Sequence, residues 1–184
     1  MNLKEIIYKR RALRSLEPVE ITEDLVKDLA ECSQIAASCF NNQPWRYVFV
    51  YDEEMLKTMH TALSPGNVWA KKSSMIIAVL SRKEMDCIIK DREYYLFDTG
   101  MATAQMILRA TELDLVAHPI AGYNPNKVKE ILNIPKEMTV ITLLIVGKKA
   151  ASIDPELSDG QKKSELNRPE RQSLDRIAFI NRYK

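Results

Sequence analysis

Apolar residues recur along this chain at two spacings, and the alternation between them predicts its helices and strands. After Thr22, a residue type suited to cap a helix N-terminus, Leu25, Leu29, Cys32 and Ala36 recur at intervals of three or four. Residues at that spacing share one face of an α-helix, so the pattern predicts an amphipathic helix. By the same reasoning we expect helices over 2–9, 22–36, 53–63, 91–113 and 124–135, and strands over 47–51, 75–80, 115–120 and 138–147.

The longest predicted helix, 91–113, has apolar residues on two faces instead of one. Phe97 and Met101 lie on one face, whereas Leu96 and Ile107 lie on another. A helix that is apolar on two sides is enclosed by the rest of the fold, so we expect this helix to be central and mostly buried. We expect an α+β fold, with a mostly antiparallel sheet of four strands flanked by the helices.

The pattern changes from Lys148 onward. Residues 148–170 are polar, contain two prolines and show no periodicity, which predicts an extended arm that runs over the surface. Apolar residues return in 174–179, where we expect the arm to pack. Arms of this kind often cross to a partner subunit, so we expect one domain spanning 1–184, with 148–184 as a C-terminal arm that wraps a second copy.

Composition narrows the class of protein. With 184 residues, 46% of them hydrophobic, the chain can bury a core as one domain without a metal or a disulfide. A net charge of +2 is too balanced to indicate a nucleic-acid or membrane partner. Residues 1–14 lack the apolar core of a signal peptide, and the longest apolar run, 139–147, is too short to span a membrane. Three cysteines without Cys-x-x-Cys spacing favour reduced thiols and a cytoplasmic location.

Several common catalytic sites are excluded by the motifs that the chain lacks. The five glycines are too far apart for a Gly-rich phosphate loop, and no Gly-x-Ser-x-Gly elbow occurs. His60 and His118 have no partners at metal-ligand spacing, so we expect no metal site and interpret His118 as structural. We therefore expect no catalytic side chain. If the chain is an enzyme, a bound cofactor carries the reaction.

A polar loop between a predicted helix and a predicted strand is the first candidate binding element. Residues 36–46 contain Asn41 and Gln43 with a further asparagine between them, followed by a proline and Trp45. The amides offer several donors and acceptors, the proline stiffens the turn, and the tryptophan adds a flat apolar surface. Such a loop suits a planar ligand with a polar edge.

Three further segments fit a cofactor, although each also has a plainer interpretation. Arg10 and Arg14 are one helical turn apart and could face one anion, or they could form a solvated basic run at a helix end. The segment 119–122 ends a strand, and Gly122 lets the backbone approach a ligand, or the segment only connects a strand to a helix. The two arginines in 168–171 could join such a site or form a solvated tail.

Four motifs in this order carry a resemblance to a known family. They are Arg-Arg-x-x-Arg at 10–14, Ser-x-x-Asn-x-Gln-Pro-Trp at 38–45, Pro-Ile-x-Gly-Tyr at 119–123, and a late arginine before Leu174. Jointly they resemble the FMN-dependent nitroreductase family over residues 4–178. The resemblance implies the nitroreductase-like fold and a homodimer with two FMN sites at the subunit interface.

The resemblance also implies roles for individual residues. Arg10 and Arg171 would hold the FMN phosphate, and Arg14 would lie near the pyrimidine edge, where a cation stabilises negative charge. The backbone N–H groups of Ala121 and Gly122 would point toward N5, which needs a donor that never titrates.

A second group of residues would reach the flavin from elsewhere. Ser38, Cys39 and Asn41 would come from the other subunit, with Gln43 supporting their loop, and Asn67 would lie at the polar edge of the flavin. The full set of cofactor-binding residues implied by the resemblance is Arg10, Arg11, Ala12, Arg14, Ser38, Cys39, Asn41, Gln43, Asn67, Pro119, Ile120, Ala121, Gly122, Arg168 and Arg171.

The chain departs from the usual pattern of the family at four positions. Ala12, Ala37 and Cys39 stand where serine, proline and serine are common, and Ala121 stands where a glutamate beside N5 is common. Backbone contacts survive such changes, so FMN binding is still implied. The chain is also short for the family, so we expect a more open pocket. For Cys39, the plainer interpretation is a small residue that fills its place in the loop.

The implied reaction takes hydride from NADH or NADPH and passes electrons to a nitroaromatic, a quinone or another small flat acceptor by a ping-pong mechanism. Two alternatives stay open. A specialised flavoprotein of the same fold would break down flavin, dehalogenate a substrate or oxidise an azoline. A non-enzymatic module would bind nucleic acid through Arg10 and Arg14, although the near-neutral net charge disfavours it.

Overall fold

The computed structural model describes residues 1–183. The helices are α1 (Leu3–Lys9), α2 (Glu23–Gln34), α3 (Glu53–His60), α4 (Tyr95–Glu112), α5 (Pro125–Ile131) and α6 (Asp159–Leu166). The strands are β1 (Leu16–Glu17), β2 (Arg46–Val50), β3 (Met75–Ser81), β4 (Ile88–Ile89), β5 (Arg92–Glu93), β6 (Leu115–Ile120) and β7 (Thr139–Lys149). Short 3₁₀ turns lie at Cys39–Asn41, Pro65–Lys72, Lys83–Met85 and Leu174–Arg176.

β7 is the central strand of the main sheet. It pairs with β3 on one side and with β6 on the other, and β2 pairs with the free edge of β3. β1 pairs with the last two residues of β7, Lys148 and Lys149. All of these pairs are antiparallel, so the predicted α+β fold with a mostly antiparallel sheet is confirmed.

Both faces of this sheet are buried, as β3 shows. All seven residues of β3 are buried. Because successive side chains of a strand point to opposite faces, Ile76 and Ala78 join one core cluster, whereas Met75 and Ile77 join the other. A strand covered on both faces has no solvent side for polar residues, which explains its continuous apolar sequence.

The predicted central helix begins later than expected and is less buried at its start. α4 begins only after a tight hairpin at 88–93, in which Lys90 has a φ of 60°. Its later turns pack against α2 and the sheet, where Met106 is fully buried. Its first turn exposes Leu96 and Phe97. The prediction of a central helix is therefore correct for the later turns only.

The segment after residue 147 is more regular than predicted, which corrects the expectation of an irregular arm over 148–170. β7 continues to Lys149 because β1 pairs with its end. α6 then begins with a capping box, in which Ser158 and Gln161 each accept the backbone N–H of the other through their side chains. The Ser-x-x-Gln spacing is the sequence signal for such a cap. The helix itself is polar, so its apolar residues show too little periodicity to predict it from the sequence.

The end of the chain packs less than expected. Leu174, Ile177 and Ile180 are all exposed, so these three residues do not find a site within the described part of their own chain. The description of 1–184 as one domain whose arm wraps a second copy stays a prediction. No helix within residues 1–183 combines the length and apolarity needed to cross a membrane.

Candidate functional site

Five arginines from the two ends of the chain line one small cavity. α1 ends at Lys9, and the backbone becomes extended at Arg10. The side chains that follow meet α6 and the arm beyond it. The cavity has a volume of about 140 Å³ and is lined by Arg10, Arg11, Ala12, Arg14, Ser164, Arg168, Pro169 and Arg171. No acidic residue of the described chain lines it. Guanidinium groups bind phosphate through charge-assisted hydrogen bonds, so this cavity is a candidate anion site.

The positive charges in this cavity oppose one another. Burial, and then the nearby charges of Arg168 and Arg171, lower the pKa of Arg10. A cation surrounded by cations is stabilised by a bound anion. Arg14 adds a free donor, because its buried Nε has no hydrogen-bond partner within residues 1–183. The cavity therefore offers both charge and hydrogen bonds to an anionic ligand.

Two contacts from the arm fix the shape of the cavity. Glu165, in α6, accepts hydrogen bonds from the backbone N–H groups of Arg14 (2.9 Å) and Ser15 (3.1 Å). Arg168 donates a hydrogen bond to the backbone carbonyl of Arg10 (2.8 Å). Part of the Arg168 side chain therefore anchors the arm. The sequence did not predict a role for Glu165, since nothing in the sequence shows which backbone groups this side chain contacts.

Asn67 and Gly122 lie in direct contact. Asn67 donates through Nδ2 to the carbonyl of Gly122 (2.9 Å) and accepts through Oδ1 from the indole N–H of Trp69 (3.2 Å). A Cβ atom at Gly122 would lie 2.4 Å from Asn67 Nδ2, so any side chain here would displace the Asn67 amide from its hydrogen bonds. Glycine therefore permits the close approach of Asn67. The Asn67 amide keeps one N–H and one lone pair for a ligand.

Trp69 and His118 form a platform beneath Arg14. The guanidinium of Arg14 lies 5.8 Å from the centroid of the Trp69 ring, within cation–π distance, and His118 stacks on that ring at 4.8 Å. His118 Nδ1 donates to the backbone carbonyl of Leu13 (2.9 Å), which is an acceptor only. Burial, and secondarily the charge of Arg14, lower the pKa of His118 to about 4. The sequence predicted a structural histidine, without a statement on its charge. Its role beneath Arg14 was not foreseen.

The end of β6 supplies two backbone donors. Ile120 is buried and pairs with β7, whereas Pro119 and Ala121 are exposed. Among the hydrogen bonds within residues 1–183, none is donated by the N–H of Ala121 or of Gly122. Because Gly122 also contacts Asn67, these N–H groups, Asn67 and Arg14 belong to one connected region. The structure thus brings most of the predicted residues near the chain ends and β6 together.

The polar loop lies apart from that region. Ser38 Oγ accepts the backbone N–H of Gln43 (3.0 Å), and the Gln43 side chain donates to the carbonyl of Asn41 (3.0 Å), so Gln43 supports the loop from within. Cys39 N–H donates to Asp98 in α4 (2.6 Å). Within the described part of the chain, no hydrogen bond, salt bridge or shared cavity joins the loop to the arginine cavity.

Two details of the loop differ from the sequence expectations. Trp45 is buried in a small cluster with Ala36, so its ring is part of the core and not a surface for a ligand. Cys39 and Cys87 form a disulfide, with their Cα atoms 6.2 Å apart, so the expectation of three reduced thiols is wrong for this pair. The cysteines are 48 residues apart, and only the path of the chain brings them together. Cys32 is the free cysteine of the described chain.

Comparison with known proteins decides the family. The model of the nitroreductase family matches residues 7–148. The chain belongs to the nitroreductase family. The family resemblance and the predicted oxidoreductase class are therefore confirmed. The nitroreductase match ends before Arg168 and Arg171, so it is the structure that connects these two arginines with the cavity.

Individual nitroreductase relatives agree with this assignment. A protein of Archaeoglobus fulgidus, described as a candidate NADH dehydrogenase/NAD(P)H nitroreductase, is 26% identical over 151 residues, which cover 78% of this chain and 83% of that protein. A nitroreductase family protein of Clostridium novyi NT superposes with a TM-score of 0.76 at 26% identity, covering 82% of this chain and 87% of that one. A crystal structure of an oxidoreductase containing FMN superposes with a TM-score of 0.84 at 25% identity, covering 97% and 91%. The nitroreductase-like fold is thus confirmed.

Proposed function

We propose that this nitroreductase is an FMN-dependent oxidoreductase that takes hydride from NADH or NADPH and reduces a small flat acceptor such as a nitroaromatic or a quinone. The observation that carries the proposal is the arginine cavity without carboxylates, because a phosphate-bearing cofactor supplies the missing negative charge. A related structure contains FMN, and a relative is named for NAD(P)H, which supports the choice of cofactor and donor.

The residues around the cavity can be assigned to successive parts of FMN, from its phosphate to its ring. Arg10 and Arg171 would bind the phosphate. Arg14 would face the pyrimidine edge with its free Nε, supported from below by Trp69. The backbone N–H groups of Ala121 and Gly122 would face N5. FMN itself supplies the hydride-accepting ring. The chain contributes binding, orientation and positive charge, and no catalytic side chain is assigned.

The loop at 38–43 would serve the flavin held mainly by a second copy of the chain. Several large apolar side chains are exposed near the loop and in the arm, namely Ile35, Phe40, Leu96, Phe97, Leu174, Ile177 and Ile180. Exposed apolar side chains in this number indicate a surface that another protein covers. We therefore propose a homodimer in which each FMN site takes residues from both chains.

The proposal is tested by FMN titration followed by anaerobic mixing with each nicotinamide. We expect tight binding of FMN and rapid loss of the oxidised flavin absorbance with NADH, NADPH or both, then recovery when a nitroaromatic or quinone is added. Failure to bind FMN would refute the proposal.

The specialised flavoprotein is the second candidate, and Ala121 is the observation that favours it. This exposed, short side chain stands beside the expected N5 contact, where the family commonly has a glutamate. Tight FMN binding without reduction by either nicotinamide would favour this second candidate. We also propose the cytoplasm as the location, because both nicotinamides are abundant there.

A further inference from the structure

A disulfide beside the polar loop has no role in the proposed function. Cys39, in the loop, is bonded to Cys87, which directly precedes β4. Both residues are partly exposed, so neither belongs to the buried core. Cys32, in α2, provides an internal reference because it is free.

Two carboxylates adjoin the cysteine pair. Asp86 Oδ1 accepts the backbone N–H of Cys87 (2.8 Å) and lies 3.6 Å from its Sγ. Asp98 Oδ2 accepts the backbone N–H of Cys39 (2.6 Å). Asp98 is buried, and its burial, reinforced by the charge of Asp86, raises the pKa of Asp98. Hydrogen bonds to the two carboxylates thus fix the backbone of both cysteines.

The loop that Cys39 tethers has an unusual backbone. Phe40, Asn41 and Gln43 have φ values of 49°, 59° and 49°, in the left-handed region that residues other than glycine seldom adopt. The left-handed conformation costs free energy, and Phe40 is 83% exposed, so burial of its ring does not offset that cost. The bond to Cys87 and the hydrogen bond from Cys39 to Asp98 hold the loop in this shape.

We propose that Cys39 and Cys87 form a redox-active site that exchanges reversibly with low-molecular-weight thiols, and that opening the disulfide releases the 38–43 loop. In the first step a small thiolate bonds to Cys39 Sγ, the bond between the two cysteines breaks, and its electron pair leaves on Cys87. Cys87 takes a proton from water. A second small thiolate then attacks the small-molecule sulfur, and Cys39 leaves and takes a proton from water.

Atoms and electrons balance in this exchange. Two small thiols release their protons to water as they form thiolates and end as one small disulfide, and the protein disulfide takes up two protons and becomes two thiols. A low-molecular-weight disulfide reverses both steps. FMN takes no part in the exchange, so the cysteine pair can be examined in the FMN-free protein.

A redox titration tests the exchange directly. The FMN-free full-length protein is equilibrated with different ratios of reduced and oxidised glutathione, quenched with acid, alkylated with N-ethylmaleimide in denaturant and analysed by peptide mass spectrometry. We expect Cys39 and Cys87 to become alkylated together in one two-electron transition, while Cys32 is alkylated at every ratio. C32S should keep the transition and C87S should abolish it. Independent alkylation of Cys39 and Cys87, or a bond that persists at the most reducing ratio, would overturn the proposal.

Hydrogen exchange tests the release of the loop. The backbone N–H groups of Cys39 and Gln43 are bonded to Asp98 and Ser38, and we expect their exchange to become about tenfold faster or more on reduction. C87S should show the fast exchange without a reductant, whereas C32S should respond as the unmodified protein does. Equal exchange in the oxidised and reduced protein would refute the release.

A bound metal is the competing explanation for this cluster. Cys39, Asp86 and Cys87 place potential ligand atoms within 4.8 Å of one another. The reduced protein is therefore analysed for zinc before and after treatment with EDTA. Stoichiometric zinc that blocks disulfide formation until EDTA removes it would assign the cysteines to a metal site and overturn the proposal.

The consequence for FMN depends on the proposed function. If the loop contacts FMN, we expect the FMN dissociation constant to rise about tenfold on reduction, a size typical of coupled sites. Unchanged FMN affinity together with a clear thiol transition would refute the assigned role of the loop. Tight FMN binding without any thiol transition would refute the redox site alone.

Discussion

Arg10, Arg14 and Arg171 bring three of the five positive charges to a cavity that no acidic residue of the described chain lines. In the free protein these charges repel one another, and each guanidinium keeps donors available for a ligand. Arg171 donates only to backbone carbonyls of its own segment, at Pro169 and Glu170, so its side chain contributes little to the fold. A substitution of Arg171 can therefore change the affinity for an anion without changing the stability of the fold.

Replacing Arg171 with glutamine is expected to weaken FMN binding about 10- to 100-fold, because a hydrogen bond to a charged group contributes about 1.5–3 kcal/mol. The free energy of unfolding of the FMN-free protein should change by less than about 0.5 kcal/mol. Fluorescence titration and urea unfolding measure the two effects. Arg92→Gln, an exposed arginine of β5 outside the cavity, is the matched control. Equal FMN affinity in R171Q and in the control would contradict the phosphate assignment.

The lowered pKa of His118 predicts how the free energy of unfolding depends on pH. Its folded pKa of about 4 is below the ordinary value of 6.5, so the unfolded state binds the proton more readily and stability falls as the pH decreases from about 6.5 to about 4. The loss is at most about 3 kcal/mol, by the conversion of a pKa shift into free energy.

Asparagine at position 118 keeps a donor for the Leu13 carbonyl but does not titrate, so H118N should lose this pH dependence. Urea unfolding is measured from pH 7 to pH 4 in the H60Q background, where only one histidine titrates. Identical slopes for the two proteins would show that His118 is not the group responsible.

At the scale of elements, α6 holds the Arg10–Ser15 segment in place from the far end of the chain. Its capping box starts the helix at Ser158, and Glu165 in its last turn accepts the N–H groups of Arg14 and Ser15. Because Ser15 is almost fully buried, its N–H has no access to water if Glu165 is removed. The helix therefore fixes the shape of the arginine cavity and also lines it through Ser164.

Glu165→Ala is expected to destabilise the protein by about 2 kcal/mol, because it leaves two N–H groups without an acceptor. Hydrogen exchange at Arg14 and Ser15 should become faster in this variant. Ser158→Ala, which removes only the cap, should cost about 1 kcal/mol and leave those two amides bonded. Unchanged exchange at Arg14 and Ser15 in E165A would rule out the contact in solution.

At the scale of the whole molecule, the proposed homodimer rests on exposed apolar residues. Leu174 and Ile177 lie in the arm, and Phe97 begins α4, all of them exposed. In the proposed homodimer, a second copy that receives the arm covers them.

Replacing both Leu174 and Ile177 with serine is expected to raise the dimer dissociation constant about tenfold or more, because each apolar side chain loses about 1.5–3 kcal/mol of burial. Analytical ultracentrifugation over a range of concentrations measures the effect. D175N/R176Q changes the two polar residues between them in the same turn and should leave association unchanged. A monomeric unmodified protein that binds FMN tightly would contradict the shared site.

Much of the fold could be predicted because its signals are local. The apolar run of β3 and the Thr22 cap with its helical period act over a few residues, and the structure places these elements close to the predicted positions. α6, the 88–93 hairpin and β1 were missed, because short elements depend on contacts from distant parts of the chain.

The sequence by itself determined the residue types and order that make this a nitroreductase: the arginines near the start, the Ser-x-x-Asn-x-Gln-Pro-Trp loop and the Pro-Ile-x-Gly-Tyr turn. The family resemblance already implied that Arg10 and Arg171 hold one phosphate, whereas only the tertiary structure decided that Arg168 meets Arg10 and that Cys39 meets Cys87. Neither contact has a local signal, since residues separated by 48 or by some 160 positions meet only when the core between them has formed. The motifs therefore indicate the family, whereas the packing of the core determines which distant side chains come into contact.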